Sequence, residues 1–288
     1  MMNTLFFNVF QHKLHKMTIN CQGSLIDLQK PKVMGILNLT PDSFFDGGQY
    51  NTPDLVLSQV EQMLNDGASF IDVGAYSSRP NAEPVSEAVE LERLIPMVKL
   101  LVQSFPAIRL SIDTFRASVA KKAIQAGGMI INDISGGVLD TSMLETVGAL
   151  QVPYIMMHMR GTPQTMNTLT DYKDVTQAVL QFFSKQLAQA RAHKINDLII
   201  DPGFGFAKTI EQNFELLSKL ELLGICEVPV LVGLSRKSMI YKTLGTDPQE
   251  ALNGTTALHM IALQKGSSIL RVHDVKEAME CIKLYEML

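Results

Sequence analysis

Eight times along this chain a short run of Val, Ile, Leu and Met breaks off into a polar residue and a loop. The runs are KVMGILN to Asn38, SFIDVGA to Ala75, IRLSID to Asp113, MIINDI around Asp133, VPYIMMH to His158, DLIID to Asp201, VPVLVG to Gly233 and SSILRVHD to Asp274. Near-continuous apolar runs of this length are what strands covered on both faces require. Between them, apolar residues recur at helical spacing. In 85–105 these are Leu91, Leu94, Ile95, Val98, Leu101, Val102 and Phe105, with Pro96 expected to kink or split the helix; in 175–190 they are Val179, Phe182, Phe183, Leu187 and Ala190. Thr52-Pro53 places a cap before a first-turn proline, Asp247-Pro248 with Glu250 repeats the device, and Gly266 closes the helix that follows. Strand and helix therefore alternate eight times. That predicts an α/β fold closed into a (β/α)8 TIM barrel, since an open doubly wound sheet would show fewer units and an early glycine fingerprint.

Length agrees: 288 residues suit one barrel of about 250 residues with an extension. The expected division is an N-terminal extension over 1–17 and a single barrel domain over 18–288. Residues 18–31 should form a short β-hairpin plugging the bottom of the barrel. A composition that is 46% hydrophobic and 19% charged, with net charge −4, leaves no general attraction for nucleic acid or anionic lipid, so any anion site must be local. The three cysteines, Cys21, Cys226 and Cys281, lie far apart and show no metal or redox spacing. No apolar run approaches the roughly 18 residues of a membrane span, and the opening segment makes no convincing signal peptide, so the cytoplasm is the expected location.

In a barrel of this kind the site forms where strands end. That rule collects Asn38, Asp72, Asp113, Asn132, Asp133, His158, Asp201, Lys237, Arg271 and His273 at one mouth. Any one of them reads equally well as a loop cap, but burying so many polar groups costs a few kcal/mol each without partners, and the set points to a ligand. Asp113, Asn132 and Asp201 offer acceptors and an amide to the N–H edge of a flat heterocycle, with Lys237 facing a ring carbonyl. Asn38, Arg271, His273 and the loop TPDSFFDGG, with an amide oxygen and two candidate cations, suit a phosphate with magnesium. A second loop, VGAYSSRPNAEP, carries hydroxyls at Ser77 and Ser78 beside Arg79-Pro80, against the plain reading of a turn. In GLSRKSM, Ser235 is placed to cap a helix. DPGFGF has the wrong glycine spacing for a dinucleotide fingerprint, and the lone His158 reads as structural, with no second His at i+4.

Taken in order, MGILNLTPDSFFDGG, IDVGAYSSRP, SIDTFRASVAKKA, INDISGG, MMHMRGTPQTM, IIDPGFGFAKTIEQN, LVGLSRKSMI and ILRVHDV closely resemble the dihydropteroate synthases, a family of pterin-binding enzymes. The resemblance runs from about Thr18 to the C-terminus. It implies transfer of a pterin-methyl group from 6-hydroxymethyl-7,8-dihydropterin diphosphate to p-aminobenzoate, giving dihydropteroate and pyrophosphate in folate synthesis, by a dissociative, Mg²⁺-assisted route. By matching motifs it implies pterin contacts from Asp113, Asn132, Met157, Asp201, Gly233, Lys237 and Arg271. It places Phe44, Ser78, Arg79, Pro80, Phe206 and Ser235 on the p-aminobenzoate side, and Asn38, Arg271 and His273 at the diphosphate. Asn38 would ligate the metal, and Asp46, Lys237 and Arg271 would be catalytic. A homodimer and sulfonamide binding are implied as well. The chain departs from the family's GGESTRPG and FGFGK at Ala75, Tyr76, Ser78, Asn81 and Ala207, which bears on the shape of the amine pocket. Two other readings share the barrel: a pterin-dependent methyltransferase, and a catalytically silent pterin-binding barrel.

Overall fold

The computed structural model describes residues 17–39, 52–76 and 84–288. The loop residues Phe44, Asp46, Ser78, Arg79, Pro80 and Asn81, and the segment 1–16, lie outside the described residues. An antiparallel hairpin, β1 (Thr18–Cys21) and β2 (Ser24–Asp27), precedes eight parallel strands. These are β3 (Lys32–Asn38), β4 (Phe70–Gly74), β5 (Leu110–Asp113), β6 (Ile130–Asp133), β7 (Tyr154–Met157), β8 (Leu198–Asp201), β9 (Leu231–Val232) and β10 (Ile269–Val272). They pair in the order β8-β7-β6-β5-β4-β3-β10-β9, and a parallel bridge from Ile200 to Val230 joins the two ends. The sheet thus closes into the expected barrel.

Helices follow each strand, and their starts are written locally. The first, α1 (Pro53–Asn65), has Thr52 as its cap, its hydroxyl accepting from the Leu55 N–H at 3.4 Å, with Pro53 in the first turn. The second, α2 (Glu87–Ser104), runs unbroken through Pro96 instead of splitting there. The proline can form no bond to the Glu92 carbonyl, but both residues sit on the exposed face, where water serves that carbonyl. After α3 (Ala117–Gln125), α4 (Met143–Leu150), α5 (Val175–Ala192), α6 (Ile210–Ser218) and α7 (Ser238–Leu244), the helix α8 (Leu252–Gln264) starts later than the Asp247-Pro248 signal predicts. Asp247 Oδ1 instead caps a turn through the N–H groups of Gln249 and Glu250, at 2.9 and 3.1 Å. The carbonyls of Pro248 and Gln249 are occupied by Arg236 Nη1, which keeps this stretch out of the helix. The last helix is α9 (Val275–Tyr285). Among the described residues no helix is long and apolar enough to cross a membrane.

Strand alternation sorts side chains between two cores. Val33, Leu37, Ile71, Val73, Ile112, Ile131, Met156, Ile200, Val232 and Leu270 face outward and pack beneath the helices. The opposite parity faces the barrel axis, where Met34, Phe70, Ile130, Ile155, Ile199, Leu231 and Ile269 make an apolar floor. Ile19, Cys21, Ile26 and Leu28 of the hairpin close that floor from below, as expected of a plug. Two residues further along the same strands, on the same inward face, stand Asp72, Asn132, Met157, Asp201, Gly233 and Arg271. The apolar floor is what lifts this polar layer to the mouth.

Candidate active site

Strand register aligns the layer. Asn38, Gly74, Asp113 and Asn132 are successive cross-strand partners on β3, β4, β5 and β6. Gly74 carries no side chain in this row because a Cβ there would stand 3.1 Å from Asp113 Cβ. One step below, the fully buried Asp72 holds two donors on Oδ2: Arg271 Nε at 2.7 Å and Asn132 Nδ2 at 2.9 Å. Arg271 Nη2 reaches across to Asp113 Oδ2 at 2.9 Å, so one guanidinium bridges two carboxylates. Burial, then repulsion from Asp72, pushes Asp113 up to about 7, with Arg271 pulling the other way. Asp72 Oδ1 and Ser111 Oγ, cross-strand neighbours on the inward face, have no hydrogen-bond partner among the described residues. Buried acceptors of that kind await a donor.

The other side of the mouth is built from β8, β9 and the loops after them. Burial raises the pKa of Asp201, opposed by the Gly203 N–H at 2.7 Å and then by the charge of Lys237. Lys237 is drawn down to about 8 by burial and by Arg271, while Asp201 and Asp113 hold it up, so all four groups share one electrostatic environment. Its ammonium lies 4.4 Å from the centroid of the Phe206 ring, a cation–π contact that leaves it aimed over the mouth. A Cβ at Gly205 would meet Lys237 Cδ at 3.2 Å, and one at Gly233 would sit 4.0 Å from Asp201 Oδ2, so both glycines clear space. Met157 closes the wall in an apolar cluster with Ile134, Met159, Met166 and Ala207, flanked by Phe115 and Phe206.

Ser235 does not cap a helix. Its hydroxyl accepts the His273 backbone N–H at 3.2 Å and lies 3.1 Å from His273 Nδ1, while α7 begins three residues later without a side-chain cap. Which of the hydroxyl and Nδ1 donates in that contact follows from the ring's tautomer. Burial, then Arg271, pulls His273 down to about 4, so it stands at the mouth as a neutral ring and not as the cation the sequence suggested. Among the described residues no group of three His, Cys, Asp or Glu could hold a metal alone. One amide oxygen at Asn38 beside a cationic rim fits an ion that takes its other ligands from phosphate oxygens and water, as Mg²⁺ does. A cavity of about 240 Å³ at the opposite end, lined by residues such as Thr18, Ile195, Asp197 and Pro229, is remote from all of these groups.

Two members of the expected mouth set face away from it. Asp133 has the outward parity, and its carboxylate is spent on the Ser135 N–H and hydroxyl, the Gly137 N–H and the Tyr154 hydroxyl, all within 2.8 Å. His158 packs edge-on against Phe182 with centroids 5.0 Å apart and faces Lys208, in keeping with its structural reading. Of two residues that shape the mouth, the sequence reading places Asp72 in the mouth set without a separate task and passes over Lys208. Asp72 was visible only as a strand acid, and its pairing with a residue 199 positions away has no local signal. Lys208 was hidden in a loop read for its glycines. Of the departures, Ala75 is buried and Ala207 adopts a left-handed φ of +50°. Tyr76 sits edge-on to Phe115 at 5.0 Å, lies beneath the Arg116 guanidinium, and accepts from Gln164 Nε2 at 3.0 Å.

Comparison with known proteins gives the same answer as the geometry. Residues 34–273 match the pterin binding enzyme family. The dihydropteroate synthase of Synechocystis is 47% identical over 259 residues, covering 89% of each chain. The Yersinia pestis dihydropteroate synthase crystallised with a sulfonamide drug is 41% identical, with a TM-score of 0.89 over 94% of this chain and 98% of that one. The Xanthomonas albilineans dihydropteroate synthase crystallised with 4-aminobenzoic acid is 37% identical, with a TM-score of 0.87 over 94% and 97%. With a barrel whose inward acids, amide and cations share one mouth, this chain belongs to the pterin-binding enzyme family as a dihydropteroate synthase, a transferase of folate synthesis.

Proposed function

We propose that the inward layer binds 6-hydroxymethyl-7,8-dihydropterin diphosphate and transfers its pterin-methyl group to the amine of p-aminobenzoate. The observation that carries this reading is the Asp72–Arg271–Asp113 bridge with Asn132 and Asp201 on the same inward face. These are buried acceptors and an amide, matched to the donor-rich edge of a flat pterin, and Asp113 can offer either protonation state near neutral pH. Lys237 would meet the ring carbonyl, with Gly233 and Met157 lining the slot. Arg271 and His273 would face the diphosphate, the first as a cation and the second as a neutral ring. Asn38 would hold a Mg²⁺ ion, whose chemistry there would be neutralisation of charge on the leaving diphosphate.

The reaction would proceed by loss of pyrophosphate first. The cation left on the pterin methylene is stabilised by ring nitrogens and by nearby carboxylate, a role that Asp46 would fill, and is then attacked by the amine. Loops 40–51 and 77–83 would exclude the water that competes for it, with Phe44, Ser78, Arg79 and Pro80 joining Phe206 and Ser235 around the amine. That relatives from Xanthomonas albilineans and Yersinia pestis were crystallised with 4-aminobenzoic acid and with a sulfonamide drug supports an aromatic amine as the second substrate. A cytoplasmic homodimer completes the reading. Leu222, Ile225, Leu244 and Ile261 are apolar and exposed, and the Glu221–Lys265 ion pair at 2.8 Å ties two of the segments that carry them. The test is pyrophosphate release from the pterin diphosphate with and without p-aminobenzoate and Mg²⁺, with the organic product identified by mass. Absence of dihydropteroate when all three are present sinks the proposal.

A further inference from the structure

Loop 203–208, which leaves β8, makes three left-handed turns in six residues: Gly203 at φ +70°, Gly205 at +79° and Ala207 at +50°. The chain curls here so that the carbonyls of Gly203 and Phe206 both face Lys208. The curl is costly at Ala207, where a Cβ opposes the left-handed conformation. Something must hold the curl, and its contents are on view. Lys208 is buried, and its Nζ lies 2.9 Å from the Gly203 carbonyl, 3.0 Å from the Phe206 carbonyl and 3.0 Å from His158 Nδ1. These three acceptors within 3.0 Å match the three N–H groups of an ammonium, with the His158 carbonyl a longer fourth contact at 3.5 Å. The cage therefore favours the charged form against burial, which pulls Lys208 down to about 7, while Asp201 holds it up and Lys237 and Arg160 lower it.

The His158 contact is as specific as the two carbonyls. Burial and the neighbouring Lys208 draw His158 far down, to about 2, so its ring is neutral and Nδ1 is available as an acceptor. The chain passes so close here that a Cβ on Gly203 would stand within contact of the His158 carbonyl. A residue leaving β7 is thus joined through one ammonium to the loop leaving β8. The far end of that loop carries the Phe206 ring on which Lys237 rests.

We propose that Lys208 is a positioning residue of the transfer reaction: pinned to His158, it fixes the 203–208 curl and so sets the Phe206 ring that Lys237 and the aromatic amine rest on. This inference rests on the substrate reading above. It weighs on the two substrates unequally: Asp113, Asn132 and Asp201 are placed by β5, β6 and β8, and the curl reaches the pterin side only through the Gly203 N–H on Asp201 and through Lys237, whereas Phe206 itself is placed by the pin. The experiment uses the full chain and compares Lys208→Met with the parent, measuring the dissociation constant of a pterin ligand by calorimetry and KM for p-aminobenzoate by steady-state turnover. The expected result is an amine KM raised about tenfold or more with pterin affinity within about threefold of the parent. Equal loss of both, or an unchanged KM, overturns the proposal. Should Lys208→Met fail to fold, His158→Gln and His158→Leu decide the matter. The Gln carbonyl can accept from Lys208 and should keep the amine KM, the Leu side chain cannot and should raise it, and identical behaviour of the two overturns the pin. Absence of parent turnover removes the substrate reading and this proposal together, whereas normal parent turnover with an unmoved KM removes this proposal alone.

Discussion

Replacing Asp72 by Asn tests the centre of the site without changing its shape. Asp72 Oδ2 accepts from Arg271 Nε and Asn132 Nδ2, and the Asn oxygen can occupy the same position. What is lost is charge. A hydrogen bond to a charged group contributes about 1.5–3 kcal/mol against about 1 for a neutral pair, so two weakened bonds cost about 1–4 kcal/mol. Arg271, only 19% exposed along its side chain, also keeps a single counter-ion, Asp113. Removing one partner of a fully buried pair costs about 3–5 kcal/mol, and the surviving bond to Asp113 brings the expected total to about 2–3 kcal/mol. Asp113 should respond in the opposite sense. The Asp72 charge is the second cause of its raised pKa, so in the variant its ionisation moves down from about 7. Urea unfolding followed by circular dichroism measures the first effect, and the pH dependence of pterin binding the second. A stability loss under about 0.5 kcal/mol, together with an unmoved binding profile, would show that the bridge does not organise the mouth.

Lys237, held at about 8, is charged below that pH, so the rate at low substrate should fall as pH rises through about 8, and Lys237→Met should remove that alkaline limb. In α8, His259 is buried with neither ring nitrogen partnered among the described residues, and burial holds it down at about 4. The unfolded chain binds that proton at about 6.5 and the folded one only near 4, so acidification through this window costs the parent stability. His259→Leu should be neutral or stabilising at pH 7 and gain on the parent by about 3 kcal/mol at pH 4, read from paired urea titrations. At the base, Ile19→Ala in the hairpin plug should lose about 2–4 kcal/mol, with a lower urea midpoint and an unchanged slope.

The barrel could be read from the chain because its signal is local. Each strand is a short apolar run, each helix has its own spacing, and Thr52-Pro53 caps the helix it marks. Local signals failed where a distant residue competed for the same groups. The Asp247 start was displaced because Arg236 takes the carbonyls that follow it while making a bidentate pair with Asp274 at 2.7 and 2.8 Å. The mouth was legible as a set of residue types, but not which neighbours face it. Asn132 and Asp133 are adjacent and equally polar, and only the strand's alternation, fixed by Ile130 on the floor and Ile131 against the helices, sends one inward and the other to Tyr154. His273 looked cationic because its burial beside Arg271 is invisible in sequence.

The hairpin under the barrel makes the molecule a cup rather than a tube. With Met34, Phe70, Ile130, Ile155, Ile199, Leu231 and Ile269 filling the interior and the hairpin packed beneath them, the polar tier of the described barrel is closed from below. Whatever docks against the lowest polar tier must therefore arrive before a companion that rests above it, and an adduct of the two must leave in one piece by the way its parts came in. Order-of-addition kinetics would register that constraint as a compulsory sequence, imposed by the apolar floor beneath the polar tier.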